Sequence, residues 1–300
     1  MEPEEYIEVE GKRFEFVKTR TYTDFSIYKS GDLYLRIGSK NIVTSELNFH
    51  KKLLEWEFPV AKITSEGELE GRYYYIETSQ GDNLLGNLFV DDYKDFGSVT
   101  DRSFDILLDI SKRFARAQLK TAKEEKNYES FYIGVHVDYL LEELPHLKEK
   151  ILQAFEKIKE RTFYLPAVIT HGDFNPHNLL EKGVIDFGNN FEGIAGYDLV
   201  SNIYQTYFFP VGDGFESQRR YEFASGQVGR YFESINMIFI EFGLPRLSIF
   251  LSEFILMRAI WSAVRMDHTP KLQAWRYQNF EILLNAYLED KDISKIIIYM

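Results

Sequence analysis

Three oxygen-bearing side chains stand close together in the sequence, near two short apolar segments. Asp173 and Asn178 lie in residues 169–180, which read Ile-Thr-His-Gly-Asp-Phe-Asn-Pro-His-Asn-Leu-Leu, and Asp186 follows in the Ile-Asp-Phe-Gly of residues 185–188. Mg²⁺ prefers one or two carboxylates together with phosphate oxygens and water. A further carboxylate beside the metal can accept a hydroxyl proton. This division of roles is typical of phosphoryl transfer, in which one Asp serves as base and an Asn and a second Asp hold the metal.

The apolar residues at 167–170 and 184–185 predict two short buried strands, which would hold the polar side chains rigidly. Two other interpretations remain open. The first motif could be a turn whose Asp and Asn bond their own backbone, but this does not explain the second motif. His171 and His177 could instead be ligands in a metal hydrolase, although no further His and Asp cluster of suitable spacing follows. We expect His171 to orient or pack the loop.

Taken together, the motifs resemble those of the aminoglycoside phosphotransferase and choline kinase superfamily. The pattern that carries the resemblance is His171-x-Asp173-x-x-x-x-Asn178, then Ile-Asp-Phe-Gly at 185–188, then Asp198-Leu199. Either signature alone would be weak, but two spaced signatures in the right order are fairly specific. The resemblance implies a protein-kinase-like fold and the phosphorylation of hydroxyl groups on small molecules.

The resemblance also implies roles for particular residues. Asp173 would be the catalytic base, and Asn178 and Asp186 would be Mg²⁺ ligands. His171 would support the catalytic loop. Asp198 would be a structural carboxylate that braces this loop from the start of a helix.

Composition limits the class of protein. The 300 residues are 45% hydrophobic, which allows a large core and a two-lobed fold. The absence of cysteine excludes disulfides, thiol catalysis and zinc–thiolate sites. Because the N-terminus is acidic and has no apolar segment, we expect no signal peptide and a cytoplasmic protein. The net charge of −12 argues against nucleic acid as a partner. We expect no membrane span, since charges interrupt the apolar runs.

Residues 1–80 are predicted to form an N-terminal, nucleotide-binding lobe. Residues 6–37 alternate apolar and polar side chains at period two, which indicates an antiparallel meander. A helix over 41–57 and strands at 59–63 and 72–77 would complete this lobe.

In the resembling family, the first hairpin of this sheet covers the nucleotide phosphates. Here that hairpin is residues 19–26, and it contains no glycine. The backbone therefore cannot approach phosphate as freely as a glycine-rich loop does. We expect the hydroxyl groups of Thr21, Thr23 and Ser26 to act as donors in its place.

The remaining nucleotide-binding candidates are also implied by the resemblance. Arg36 stands where the family has a lysine that contacts the α- and β-phosphates, and Glu46 on the following helix is expected to pair with it. An outward-facing Arg36 and a solvated Glu46 are the alternative. Backbone groups from Glu77 to Ser79 would hold the nucleotide base, and the chain would then turn into the second lobe.

Residues 81–300 are predicted to form a mainly helical lobe with the catalytic loop and the substrate pocket. The predicted helices cover residues 101–121, 137–144, 147–158, 196–210, 216–242, 245–266 and 272–288. Acidic and aromatic groups together can recognise ammonium ligands, so the substrate candidates are Glu253, Trp261, Asp267 and Trp275. Alternatively, the aromatic residues belong to the core and Glu253 pairs with an arginine such as Arg258 or Arg265.

The sequence thus predicts an α+β, bilobal, protein-kinase-like enzyme, with an N-terminal antiparallel sheet plus helix and a mainly helical C-terminal lobe. We expect it to move the γ-phosphoryl group of ATP or GTP, with Mg²⁺, to a hydroxyl of an aminoglycoside-like or amino-alcohol acceptor. A regulatory, nucleotide-binding pseudokinase is an alternative, since Arg36 replaces lysine and the hairpin lacks glycine. A metal-dependent phosphohydrolase is another. The acceptor, the choice between ATP and GTP and the oligomeric state stay open.

Overall fold

The computed structural model describes residues 4–20, 25–212, 214–215, 218–265 and 269–299. The chain divides into two compact units. Unit 1 comprises Met1–Asn83 and Leu180–Ile185, and unit 2 comprises Leu84–Leu179 and Asp186–Met300. Residues 180–185 therefore pack with unit 1, although the sequence analysis placed them within the second lobe.

Unit 1 contains an antiparallel sheet whose strand order is β1-β2-β3-β4-β6-β5. Its elements are β1 (Tyr6–Val9), β2 (Lys12–Thr19), β3 (Ser26–Ser30), β4 (Leu33–Gly38), α1 (Lys40–Glu55), β5 (Ile63–Leu69) and β6 (Arg72–Thr78). Because side chains alternate across a strand, Ile27 and Tyr75 pack with Val43 and Leu47 of α1. Their neighbours along the strands, such as Tyr28 and Ile76, form a separate cluster. The predicted meander and helix are confirmed.

The strand predicted at 59–63 lies instead at β5, Ile63–Leu69. One reason is local, since Pro59 has no N–H to donate. The other comes from a distant part of the chain, because the Pro59 carbonyl oxygen accepts a hydrogen bond from the Val184 N–H at 2.7 Å. Residues 58–62 therefore connect elements rather than join the sheet. β5 itself is an edge strand with half-buried positions such as Ser65 and Gly67, so its apolar pattern is too weak to recognise.

Unit 2 is mainly helical. In chain order its helices are α2 (Leu85–Phe96), α3 (Asp101–Lys120), α4 (Tyr128–Gly134), α5 (Val137–Glu143), α6 (Lys148–Arg161), α7 (Tyr197–Tyr204), α8 (Gln227–Glu241), α9 (Leu251–Arg265), α10 (Pro270–Leu288) and α11 (Ile293–Ile296). Helix α3 begins at its capping residue Thr100, whose hydroxyl accepts from the Ser103 N–H. It buries Phe104, Leu107 and Phe114 at helical spacing. Sheet-rich unit 1 and helical unit 2 confirm the predicted α+β class.

One predicted helix begins later than expected, and helices α2, α4 and α11 were not predicted. The helix predicted over 216–242 begins only at Gln227, because Gly226 adopts φ 86°, which ends rather than continues a helix. Helix α2 was not predicted at all. It buries only Leu85, Gly86 and Phe89, all in its first half, and four of its last six residues are charged, so its periodicity is faint.

Among the described residues, one stretch is apolar and long enough to cross a membrane. It is Leu247–Val264, with mean hydropathy 1.6, and 72% of it is buried within the protein. Such burial is typical of a core helix. Helix α9, which occupies most of this stretch, packs against α7 and α10.

Candidate active site

The candidate catalytic loop, residues 171–178, leaves strand β7 (Ala167–Thr170). The chain then forms the short strands β8 (Leu179–Leu180) and β9 (Gly183–Val184), which pair with each other, and continues to β10 (Phe191–Ile194). β10 pairs antiparallel with β7, with Thr170 opposite Phe191. This pairing brings the end of β7 next to the segment that follows Asp186. The sequence predicted β7 and β9 but not β10.

Asp198 braces the catalytic loop from the first turn of α7. Its side chain is fully buried and accepts from the backbone N–H groups of His171 at 2.8 Å and Gly172 at 3.0 Å. The Gln118 amide donates to it from α3 at 2.8 Å. Burial raises the pKa of Asp198, while the His171 side chain and these donors act in the opposite direction. The predicted bracing contacts are therefore present.

The residues after Asp186 pack directly on the catalytic loop. The ring of Phe187 lies 4.5 Å from the ring of His171, centroid to centroid. The Asn189 carbonyl oxygen approaches Gly172 so closely that a Cβ atom there would lie 2.1 Å from it. The Nδ1 atom of the buried His171 accepts from the Asp173 N–H at 3.3 Å. His171 is thus packed between the loop and Phe187, and its ring accepts a hydrogen bond from within the loop.

Asp173 and Asn178 lie side by side. The Asn178 Nδ2 donates to the Asp173 backbone oxygen at 2.8 Å and to the carboxylate Oδ2 at 3.1 Å. The other carboxylate oxygen, Oδ1, accepts from Asn175 Nδ2 at 2.9 Å and from Arg258 Nη2 at 2.8 Å. The Asp173 side chain is 20% exposed. It is therefore both held in place and accessible.

Asn178 and Asp186 have the chemistry of Mg²⁺ ligands. The hydrogen bonds that Asn178 donates use Nδ2, so its Oδ1 is available to a cation. Asp186 is exposed, and its side chain makes no hydrogen bond or ion pair with any described residue. Its φ of 63° is left-handed, a conformation that costs about 1–3 kcal/mol and is concentrated at functional sites. These residues fit a hard cation that takes oxygen ligands.

The described part of the chain contains no cluster of three or more His, Cys, Asp or Glu side chains that could hold a metal ion. A Mg²⁺ site does not require one, because an asparagine and phosphate oxygens supply ligands as well. The second histidine of the hydrolase interpretation, His177, packs against Gly86 of α2.

Arg258 is the site residue that the sequence analysis missed. It projects from α9 and its side chain is completely buried. Its ion pair with Asp173 spans 85 positions of sequence. Periodicity and motif spacing report only on neighbouring residues, so they could not locate this partner. The one available signal was an arginine with apolar residues on both sides, Met257 and Ala259, since a buried charge requires a partner.

The predicted substrate carboxylate is instead part of the core. Glu253 is 1% exposed, and its Oε1 accepts from Arg161 Nη1 at 3.1 Å and from the Tyr287 hydroxyl at 3.2 Å. The alternative, that Glu253 pairs with an arginine, is therefore right, but the arginine is Arg161. A carboxylate so enclosed cannot reach a ligand.

The other predicted substrate residues, Trp261, Trp275 and Asp267, differ in what they contact. Trp261 is 7% exposed, and the Arg258 guanidinium lies 3.7 Å above its ring centroid. Trp275 is half-buried and contacts the ring of Phe215, at 6.3 Å between centroids. Asp267 lies outside the described residues. The structure thus connects Trp261, but not Trp275, to the catalytic loop.

In unit 1, the predicted ion pair between Arg36 and Glu46 is present, with Nη1 and Oε1 3.1 Å apart. Arg36 also donates from Nε to Glu77 Oε1 at 2.6 Å, a contact that the sequence did not predict. Burial alone would lower the pKa of Arg36, but Glu77, Tyr75 and Glu46 outweigh it, and the pKa is raised. Arg36 is therefore permanently charged and points inward, not outward.

We expect Arg36→Met to lower the free energy of unfolding by about 3 kcal/mol, because Glu77 would remain buried without its charged partner. The exposed pair of Lys51 and Glu66, at 2.6 Å in the same unit, provides the control. Lys51→Met should cost less than about 1 kcal/mol. Urea unfolding measures both values, and equal losses would contradict a structural role for the Arg36 network.

The structure describes the whole predicted base-binding segment, residues 77–79, and the hairpin residues on either side of 21–24. The N–H of Ser79 donates to the Asp32 carbonyl at 2.7 Å, and that of Thr78 donates to Lys62 at 2.9 Å. Because these two N–H groups already donate to carbonyl oxygens, a nucleotide base would have to bond to other backbone groups of residues 77–79. The buried Ser26 hydroxyl lies 3.0 Å from that of Thr19. Among the predicted donors, Thr21 and Thr23 lie outside the described residues.

The chain is similar to solved structures of small-molecule kinases. A solved choline/ethanolamine kinase family protein from Mesorhizobium loti is 13% identical, with 90% of this chain and 87% of that chain covered and a TM-score of 0.54. Aminoglycoside phosphotransferase APH(3'')-Id from Streptomyces rimosus, solved with ADP and streptomycin, is 13% identical, with 83% and 92% covered and a TM-score of 0.45. No curated protein matches the chain.

The first of these structures shares its fold with the chain, which confirms the predicted kinase-like fold. The model of the phosphotransferase enzyme family, APH, matches residues 43–231, which is more than half of the chain and includes Asp173, Asn178, Asp186 and Asp198. The family expected from the motifs is therefore confirmed: the chain belongs to the phosphotransferase enzyme family.

Proposed function

We propose that the protein is a Mg²⁺-dependent phosphotransferase that moves the γ-phosphoryl group of ATP or GTP to a hydroxyl group of a small molecule. The observation that carries the proposal is the pairing of Asp173 with Asn178. One carboxamide serves two neighbours, since its Nδ2 donates to Asp173 Oδ2 at 3.1 Å and its Oδ1 stays available to a metal. A base and a metal ligand are thereby held at adjacent positions.

Asp173 would orient the acceptor hydroxyl and take its proton late in the transfer. Oδ1 is already engaged by Asn175 and Arg258, so Oδ2 is the atom that faces the acceptor. When bound, a Mg²⁺ ion held by Asn178 and Asp186 supplies charge neutralisation at the phosphate oxygens. Catalysis of this kind consists mainly of positioning and charge stabilisation.

Arg36 supports the nucleotide part of the proposal from unit 1. Its Nε and Nη1 atoms hold Glu77 and Glu46, which leaves Nη2 for a phosphate oxygen. Arginine binds phosphate well and stays charged at any physiological pH. Replacement of the family's lysine by Arg36 is therefore compatible with activity and does not by itself favour the pseudokinase.

A cavity of about 490 Å³ in unit 2 has the size of a small-molecule site. Helix α4, residues 189–191 and Trp261 line it. Its wall adjoins the catalytic loop, because a Cβ atom on Gly172 would lie 3.2 Å from the ring of Phe191. We assign this cavity to the acceptor.

The lining of the cavity narrows the class of acceptor. Asn127 and Asn190 present carboxamides, Phe191 and Trp261 present rings, and Glu129 is the one carboxylate among the described lining residues. One carboxylate can pair with one ammonium group, whereas a polyamine requires several. The proposed acceptor is therefore an alcohol with a single ammonium group, such as an amino alcohol, rather than an aminoglycoside.

Nucleotide consumption with a panel of acceptors tests this function. ADP or GDP release would be followed with choline, ethanolamine, neutral sugars and streptomycin, each with Mg²⁺ and with a chelator, and ³¹P NMR would identify the product. We expect release that requires Mg²⁺ and is fastest with an amino alcohol. Tight nucleotide binding without transfer to any acceptor would favour the pseudokinase. Cleavage of phosphate esters without nucleotide would favour the phosphohydrolase.

A further inference from the structure

We infer that Arg258 is the positioning residue that aims the Asp173 carboxylate and connects it to the wall of the acceptor cavity. The inference rests on the proposed role of Asp173 in phosphoryl transfer. The motifs do not include Arg258, which reaches the loop from a helix in the last sixth of the chain.

Each donor group of the Arg258 guanidinium bonds to a different partner. Nη2 donates to Asp173 Oδ1 at 2.8 Å, Nη1 to the Gly172 carbonyl at 3.3 Å, and Nε to Gln205 Oε1 at 2.7 Å. A planar fork with donors in fixed directions restrains both the carboxylate and the preceding peptide group. A lysine, with one ammonium group, could not hold all three partners in the same way.

The burial of Arg258 indicates that it orients the Asp173 carboxylate more than it stabilises the fold. The side chain is 0% exposed, and removing a guanidinium from water costs several kcal/mol. Well-packed apolar residues of similar volume often give equal or greater stability than a buried ion pair. A buried cation that binds the one loop carboxylate needed for chemistry therefore points to orientation of that carboxylate.

The two Asp173 oxygens are unequally engaged. Oδ1 accepts from Arg258 and Asn175, whereas Oδ2 accepts, among the described residues, from Asn178 alone. Rotation of the carboxylate would break the two bonds to Oδ1. Arg258 thus selects Oδ2 as the oxygen that is presented to the acceptor hydroxyl.

Arg258 also stacks on Trp261, with 3.7 Å between the guanidinium carbon and the ring centroid. Trp261 in turn lines the proposed acceptor cavity. The stacked pair of Arg258 and Trp261 therefore contacts Asp173 through Arg258 and lines the proposed acceptor cavity through Trp261. Any movement of Trp261 by an acceptor reaches Asp173 through Arg258.

Arg258→Lys and Arg258→Met test the inference, with ADP release from Mg–ATP and water as the phosphoryl acceptor. We expect the kcat of both variants to fall about 100-fold, the loss that results from a misplaced catalytic group, while the KM for Mg–ATP changes less than about twofold. Arg161→Lys is the matched control, since Arg161 also pairs with a carboxylate, Glu253, in unit 2. It should lower the Tm and leave kcat unchanged.

Thermal unfolding provides a readout independent of activity. The Tm loss caused by Arg258→Met would be measured in two backgrounds, the unchanged protein and the Asp173→Asn variant. We expect a smaller loss in the second background, because the ion pair is already broken there. The inference would be overturned if Arg258→Met lowered the Tm equally in both backgrounds. It would also be overturned if Arg258→Lys kept the full kcat, or if Arg161→Lys lowered kcat as much as Arg258→Lys does. Unchanged protein that releases ADP no faster than Asp173→Asn would overturn the proposed function instead, and the unfolding comparison would still decide whether Arg258 is coupled to Asp173.

Discussion

Asp173→Asn is expected to lower the turnover number for nucleotide-dependent phosphoryl transfer by about 10³-fold, the contribution typical of a positioned acid–base group. An asparagine cannot accept the proton of an acceptor hydroxyl. Both carboxylate oxygens of Asp173 accept hydrogen bonds, from Asn175, Asn178 and Arg258. The NH₂ group of an asparagine at this position would therefore point at one of these donors and lose that hydrogen bond. Initial-rate kinetics measures turnover, and calorimetric titration with Mg–nucleotide should give nearly unchanged affinity.

Asp109→Asn serves as the control for this substitution. Asp109 lies on α3 in the same unit, is exposed, and pairs with Arg113 one helical turn later at 2.9 Å. Its turnover should stay within about twofold of the unchanged protein, since exposed pairs contribute little. If Asp173→Asn turned over as fast as Asp109→Asn, Asp173 would not be the base.

Gly172→Ala should lower the free energy of unfolding by about 3 kcal/mol, through backbone strain and overpacking together. Gly172 has φ 79°, a conformation that side chains oppose, and a Cβ there would lie 2.1 Å from the Asn189 carbonyl oxygen. This oxygen is backbone and cannot rotate away. Either the catalytic loop or residues 187–190 must move, so phosphoryl transfer should fall as well.

Gly229→Ala is a matched control, because Gly229 lies inside α8 and a Cβ there would meet nothing within 4 Å. It should raise the free energy of unfolding by about 0.5–1 kcal/mol, the helix preference for alanine over glycine. Urea unfolding measures both variants. A Gly172→Ala protein as stable and active as Gly229→Ala would show that the close approach to Asn189 has no consequence.

The local parts of the site could be predicted because they depend on short stretches of sequence. Asp173 and Asn178 are five residues apart in one loop, and their hydrogen bond needs no distant element. Helix α3 follows from a capping threonine and from apolar side chains at helical spacing. The pair of Arg36 and Glu46 lies ten residues apart, on a strand and the helix that follows it.

Predictions failed where local patterns were weak or misleading. Helix α2 buries side chains only in its first half, and the second half is mainly charged, so its period of 3.6 was not visible. The acidic Glu253 lies among apolar neighbours, which suggested a ligand site. Its real partner, Arg161, is 92 residues away, and no sequence period relates the two.

The sequence by itself determined the types of residue that phosphoryl transfer requires, their order along the chain, and the strands and helices that present them. Only the tertiary structure decided that Arg258 meets Asp173, that Glu77 joins Glu46 on Arg36, and that Glu253 is enclosed. The physical reason is range. Backbone preferences and side-chain periodicity act over a few residues, whereas a buried charge obtains its partner from whichever element the packed core places against it.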